Sequence, residues 1–250
     1  MIGEVAQWLT TSEHWSGPDG VPRHVVEHLQ YSLVAVLIAV AVALPVGLLI
    51  GHTGRGTFVI VFTANGLRAL PTLGLLVFFV VLISPHIHGR GEAAYLVPTE
   101  IVLVLIAVPA VLSGAYAGVQ AVPADTRDAA RGMGMLGRQV LVHVEVPCAL
   151  PLIISGIRSA ALQVIATATI GAYVSLGGLG RFIFDGLSAH DYPQMAAGAL
   201  LVALLALAVD LTLAGVQRLV VSPGVSGRYS RRAGTAAGAA PVAASVRQAS

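Results

Sequence analysis

The chain has 250 residues, 56% hydrophobic and only 10% charged, with a formal net charge of +2 at pH 7 and a mean hydropathy of +0.84. Soluble domains carry about 25% charged residues, so this balance excludes an ordinary soluble globule and points to a chain solvated largely by lipid. All 14 basic residues are arginine; without a lysine there is no P-loop, because that motif uses a lysine to reach the phosphates of a nucleotide.

The first thirty residues hold Glu4, Glu13, Asp19 and Glu27 against Arg23 alone. They lack the basic start and compact apolar core of a cleaved signal, and are expected to remain as an extracytoplasmic segment, residues 1–30. A bilayer core of roughly 30 Å takes about twenty apolar helical residues. Stretches near 31–51, 57–84, 98–121, 148–176 and 194–220 meet that need, which predicts an all-α, polytopic transmembrane helical bundle of about five spans over residues 31–221. The second stretch contains "NGLRALPTLG", where Pro71 has no amide hydrogen and the glycines loosen the helix, so it reads as one broken span. Residues 222–250, rich in Gly, Ala, Ser, Pro and Arg without helical periodicity, read as a disordered cytoplasmic tail. Cys148 has no partner in the chain and reads as a small buried hydrophobe.

Cytoplasmic loops are enriched in arginine and lysine. Arg127, Arg131 and Arg138, with Arg158 a little beyond, make the loop at 123–147 the most basic, and Arg228, Arg231, Arg232 and Arg247 follow the last span. Both regions are expected in the cytoplasm, with the amino terminus outside the cell membrane.

That loop interrupts the apolar pattern with "DAARGMGMLGRQVLVHVEVP". Before it, Pro123 suits a first helical position, and Asp125 and Asp128 are early acids, which predicts a short helix stopped at Gly134. Beyond Gly137, Val140, Val142, Val144 and Val146 alternate with other residues, and locally this reads as a strand.

The same stretch resembles the EAA motif of membrane subunits of binding-protein-dependent ABC importers. Asp128, Ala129 and Ala130 stand for EAA, Gly134 falls at the glycine position, and Val144-Glu145-Val146-Pro147 supplies the ending. The resemblance implies two short coupling helices, the valine-rich half included, that insert into a groove of a cytoplasmic ATPase. A carboxylate would meet cations of the partner, the alanines would allow close approach, and the glycine would permit the bend.

A narrower resemblance, to the osmoprotectant branch that imports glycine betaine, choline, carnitine or proline betaine, lies in "TATIGAYVSLGGLGRFIFDGLS" and "NGLRALPTLGLL". Within these stretches Asn65, Arg68, Pro71, Thr72, Thr167 and Thr169 are candidates for the translocation path or gate, and Gly177, Gly178 and Gly180 form a glycine-rich outer segment. The resemblance also implies a cytoplasmic ABC ATPase dimer carrying ATP-Mg, a second copy or a related permease, and an extracytoplasmic substrate-binding protein. No catalytic residue, metal, cofactor or nucleic acid is expected on this chain. The alternatives are an importer permease for another small solute such as an amino acid, and an ion-coupled secondary transporter, against which five spans without inverted halves and few intramembrane acids apart from Glu100 and Asp210 count.

Other patterns read blandly. Gly132, Gly134 and Gly137 spell G-x-G-x-x-G, but no strand precedes them as a dinucleotide site requires. His86-x-His88 with Glu92 is a short exterior loop without a full ligand set. Gly47-xxx-Gly51 and Gly114-xxx-Gly118 read as helix-packing positions, and Arg158 and Asp210 as a structural pair or interface residues.

Overall fold

A computed structural model describes residues 2–87 and 93–221, apart from the side chains of Val61, Thr63, Ala64, Asn65 and Arg68. The described residues form helices α1 (Ile2–Thr10), α2 (Val21–Thr53), α3 (Thr57–Gly66), α4 (Thr72–Ile83), α5 (Ala93–Gln120), α6 (Ala124–Gly132), α7 (Gly137–Val140), α8 (Val146–Ala168), α9 (Gly180–Ala189) and α10 (Tyr192–Val220). Four segments are long and apolar enough to cross a membrane: α2, α5, α7–α8 with its flanking turns, and α10. The expected second span is the broken pair α3–α4. A tight turn over Leu67–Ala69 and extended backbone at Leu70 and Pro71 separate its halves, because Pro71 cannot continue the hydrogen-bond ladder.

α2, α5 and α8 make the centre, and small residues set their spacing. A Cβ on Gly47 would lie 2.7 Å from the Ala115 Cβ, one on Gly51 2.7 Å from the Val119 Cβ, and one on Gly118 2.9 Å from the Ala149 Cβ. Gly114 and Gly156 meet backbone to backbone, with a Gly114 Cβ only 2.8 Å from the Gly156 Cα. Lipid gives apolar helices no hydrophobic reason to associate, so close approach and dispersion hold them. The core between them is Ala35, Ala39, Ala43, Leu103, Ala107, Val111, Ala160 and Val164. Leu200, Leu204, Leu207 and Leu211 of α10 face outward as an exposed apolar stripe.

α2 starts at Val21 and runs unbroken past residue 31, so the expected boundary at 30 falls inside a helix. Its first turns and α1 are part of the bundle: Trp8 is buried, with its ring edge-on to Phe182 at 5.3 Å and stacked on His14 at 4.1 Å. Hydropathy alone hid this end of α2, because Arg23, His24 and Glu27 pair with one another there. Cys148 is half-buried and free. His88 and Glu92 of the exterior pattern, and the tail at 222–250, lie outside the described residues. Among the described residues no group of His, Cys, Asp and Glu could hold a metal.

Between α8 and α10, Arg158 donates to both carboxylate oxygens of Asp210, at 2.8 and 2.9 Å from Nη2, and to Gln217 at 3.0 Å. The two charges form a structural pair.

Candidate coupling elbow and solute path

The chain direction of the helices puts the amino terminus, α9 and the glycine-rich segment at one end of the bundle, and α6, α7 and the last turns of α2 and α10 at the other. At this second end, α6 and α7 form an elbow. Pro123 caps α6, and Gly134 follows it with φ +86°, a left-handed conformation that a side chain disfavours. The Met135 amide then reaches back to the Ala130 carbonyl at 3.2 Å, closing the helix end. The Gln139 side-chain oxygen accepts the Leu136 amide hydrogen at 2.7 Å and opens the second arm.

That arm is helical throughout. The strand suggested by alternating valines is not formed, because the arm runs through a π turn at Leu141–Glu145 straight into α8. Pro147, in the first turn of α8, cannot donate to the residue four before it, and the widened turn absorbs that gap. The outcome is a period that turns Val140, Glu145 and Ala149 inward together.

Asp128 lies in the middle of α6 rather than at its start; it is exposed and 3.5 Å from Arg131. Ala129 is exposed beside it, while Ala130 is buried against the second arm and Pro147 is exposed. The elbow also presents Met133 at 74% and Leu136 at 72% exposure, on a segment far too polar to sit in lipid.

Sequence reasoning assigned no role to Glu145, the central residue of this end. Its carboxylate is fully buried, with one oxygen 2.6 Å from the His52 Nδ1 at the end of α2. Arg127 of α6 brings its Nε to 3.2 Å from the other oxygen, an ion-pair distance without hydrogen-bond alignment, and donates from Nη2 to the Val119 carbonyl. Gln120 donates to the Gly51 carbonyl at 2.8 Å, so the ends of α2 and α5 are tied as well. A lone acid set among valines at the mouth of an apolar segment was the available signal.

At the opposite end Glu27 accepts from Arg23 at 2.8 Å and from the Gly178 amide at 3.0 Å, and lies 3.1 Å from the His24 Nδ1. Gly178 has φ +86°, and a Cβ on Gly177 would overlap the Glu27 carboxylate. Gly180 packs on the Thr169 backbone.

Midway along the bundle, beside the α3–α4 break, is a cavity of about 150 Å³ lined by Leu67, Leu70, Thr72, Ile106, Pro109, Gln163 and Thr167.

The sequence matches the family described as "Binding-protein-dependent transport system inner membrane component" over residues 43–222. The chain belongs to that family. The permease is 33% identical over 201 residues to the glycine betaine/carnitine/choline transport system permease protein OpuCB of Bacillus subtilis, spanning 80% of this chain and 88% of that one. It is 32% identical over 199 residues to the choline transport system permease protein OpuBB of the same organism, with the same coverage. The fold is similar to that of the MetNI methionine ABC transporter in inward-facing conformations, with a TM-score of 0.69 at 21% identity over 80% of this chain and 95% of that chain. The permease is therefore a multi-pass membrane protein, and the resemblance to the osmoprotectant branch holds.

Of the path candidates in the permease, Thr72 and Thr167 meet at the cavity. Pro71 is exposed just before α4, and the Thr169 hydroxyl donates to the Ala166 carbonyl at 2.8 Å, away from the lining. The side chains of Asn65 and Arg68 lie outside the described residues. Gln163 and Pro109 were missed, because a lone polar residue or proline in an apolar helix does not announce what it faces.

Proposed function

We propose that this permease is the membrane subunit of an ATP-driven importer that carries quaternary-amine osmoprotectants such as glycine betaine, choline and carnitine. The substrate class rests on the relatives named above. The coupling role rests on one observation: an elbow that holds Met133 and Leu136 out from the polar end of the bundle, an apolar tip left for another protein to cover.

The elbow end faces the cytoplasm, and α3–α4 makes the fifth crossing. There an ABC ATPase dimer with ATP-Mg grips Asp128, Ala129 and the apolar tip, while Ala130, Gly134 and Pro147 shape the elbow from within. The amino-terminal end faces outside and receives solute from a binding protein. A second permease, identical or related, completes the path.

Closure of the ATPase displaces α6 as a rigid piece. The displacement reaches α2 through His52 and α8 through Glu145, since a buried carboxylate resists losing the partners that satisfy it. α8 carries it roughly 27 Å to Gln163 and roughly 33 Å to Thr167 at the cavity wall, at about 1.5 Å per residue from Glu145.

The test is uptake of radiolabelled glycine betaine and choline into proteoliposomes holding the permease, its ATPase and its binding protein. ATP-dependent accumulation of either solute is expected. Uptake that survives ATP depletion and collapses with an ion gradient would establish a secondary transporter instead.

A further inference from the structure

Thr72 of α4 and Gln163 and Thr167 of α8 line the mid-bundle cavity; Gln163 is exposed and the two threonines are half-buried, and none makes a side-chain hydrogen bond to another described residue. Their polar groups are open to a ligand that can replace the water around them. The cavity, at about 150 Å³, is far larger than the roughly 10–15 Å³ that one water needs, and the rest of its described wall, Leu67, Leu70, Ile106 and Pro109, is apolar. The site thus has hydrogen-bond donors on one side and an uncharged apolar surface on the other.

We infer that Gln163, with Thr72 and Thr167, is a specificity-determining site that hydrogen-bonds the carboxylate of a zwitterionic amine in transit, while the methylated ammonium rests on Leu67, Leu70, Ile106 and Pro109. This rests on the proposed function and adds which end of the solute the membrane path reads. A carboxylate is acceptor-only with about four lone-pair sites, and one amide with two hydroxyls can fill most of them. A trimethylammonium group has no N–H to satisfy, its methyls can lie on the apolar wall, and in the zwitterion its charge is balanced by its own carboxylate. Choline, with one hydroxyl in place of the carboxylate, uses fewer of these donors.

The experiment compares initial uptake of glycine betaine and choline by the whole importer, each presented on saturating binding protein, for wild type, Gln163→Leu and Gln163→Glu. Gln163→Leu is expected to slow glycine betaine about tenfold, the size of one lost hydrogen bond to a charged group, and choline less than threefold. Gln163→Glu sets a carboxylate against a carboxylate, so glycine betaine falls further still while choline is spared. ATPase stimulation by choline-loaded binding protein reports that each variant is assembled. An unchanged betaine-to-choline ratio, an equal fall for both solutes, or a wild type that carries choline but not glycine betaine overturns the inference. A wild type that carries neither overturns the proposed function itself.

Discussion

The two ends of α2 solve one problem in opposite ways. Each end holds a histidine and is tied to a glycine-jointed segment through one carboxylate. At the elbow end the acid, Glu145, belongs to the segment being held; its partners sit on α2 and α6, and its carboxylate is sealed from solvent. At the other end the acid, Glu27, belongs to α2, its side chain is 18% exposed, and the segment offers only the Gly178 backbone amide. The Glu145 carboxylate is fully buried and cannot trade its partners for water, so these groups move together. A tie to a backbone amide beside solvent can be exchanged, so that segment can let go. The stiff tie lies where the proposed function needs force carried, and the releasable one at the end that the proposed function assigns to solute entry.

The sharpest way to break this contrast is Glu145→Ala, which removes the carboxylate shared by the half-buried His52 and Arg127 and leaves a cavity at a fully buried position. A loss of about 3–5 kcal/mol is expected, visible as a large drop in thermal unfolding temperature in detergent, with Glu145→Gln intermediate because it keeps a hydrogen bond to His52. If Glu145→Ala unfolded at the wild-type temperature, the stiff tie would have no standing.

At the other end, Gly177→Ala pushes a methyl group into the Glu27 carboxylate and is expected to cost about 1–3 kcal/mol. Combined with Glu27→Ala, most of that cost should vanish. A double-mutant cycle reads this directly, and additive effects would show that the segment is held by something else.

Gly134 probes the elbow joint. A Cβ there meets nothing within 4 Å, so side-chain bulk is not what the position forbids; its φ of +86° is. Gly134→Ala is therefore expected to cost about 1–2 kcal/mol and to lower ATP-driven uptake, with Gly134→Val worse and Gly134→Asn milder. Equal tolerance of all three residues would contradict the left-handed joint.

The smallest stability effect belongs to Asp128→Asn. Its partner Arg131 is a surface neighbour, so unfolding should shift by less than about 1 kcal/mol. Uptake should nonetheless fall several-fold if the ATPase reads that carboxylate; unimpaired uptake would remove Asp128 from the contact.

Much of the architecture was open to reading from the chain alone. Apolar length marked the four segments long enough to cross a membrane, Pro71 marked the break between α3 and α4, and the Asp128–Pro147 stretch marked the bend between α6 and α7 and pointed to the family. These are properties of a segment and the solvent it faces, and a window of about twenty residues contains them. The valine-rich arm shows the limit: alternation over seven residues favours a strand, and the packing of Val140, Glu145 and Ala149 against the bundle makes it a helix.

What only the tertiary structure decided is which polar groups meet. His52 and Glu145 are 93 residues apart, Glu27 and Gly178 are 151 apart, and Gln163 and Thr72, from different helices, line one cavity beside the break in the α3–α4 pair. Composition fixes that charges in a lipid-solvated bundle must find partners. The glycine contacts among α2, α5 and α8, which set how near and at what register those helices lie, fix which partners they find.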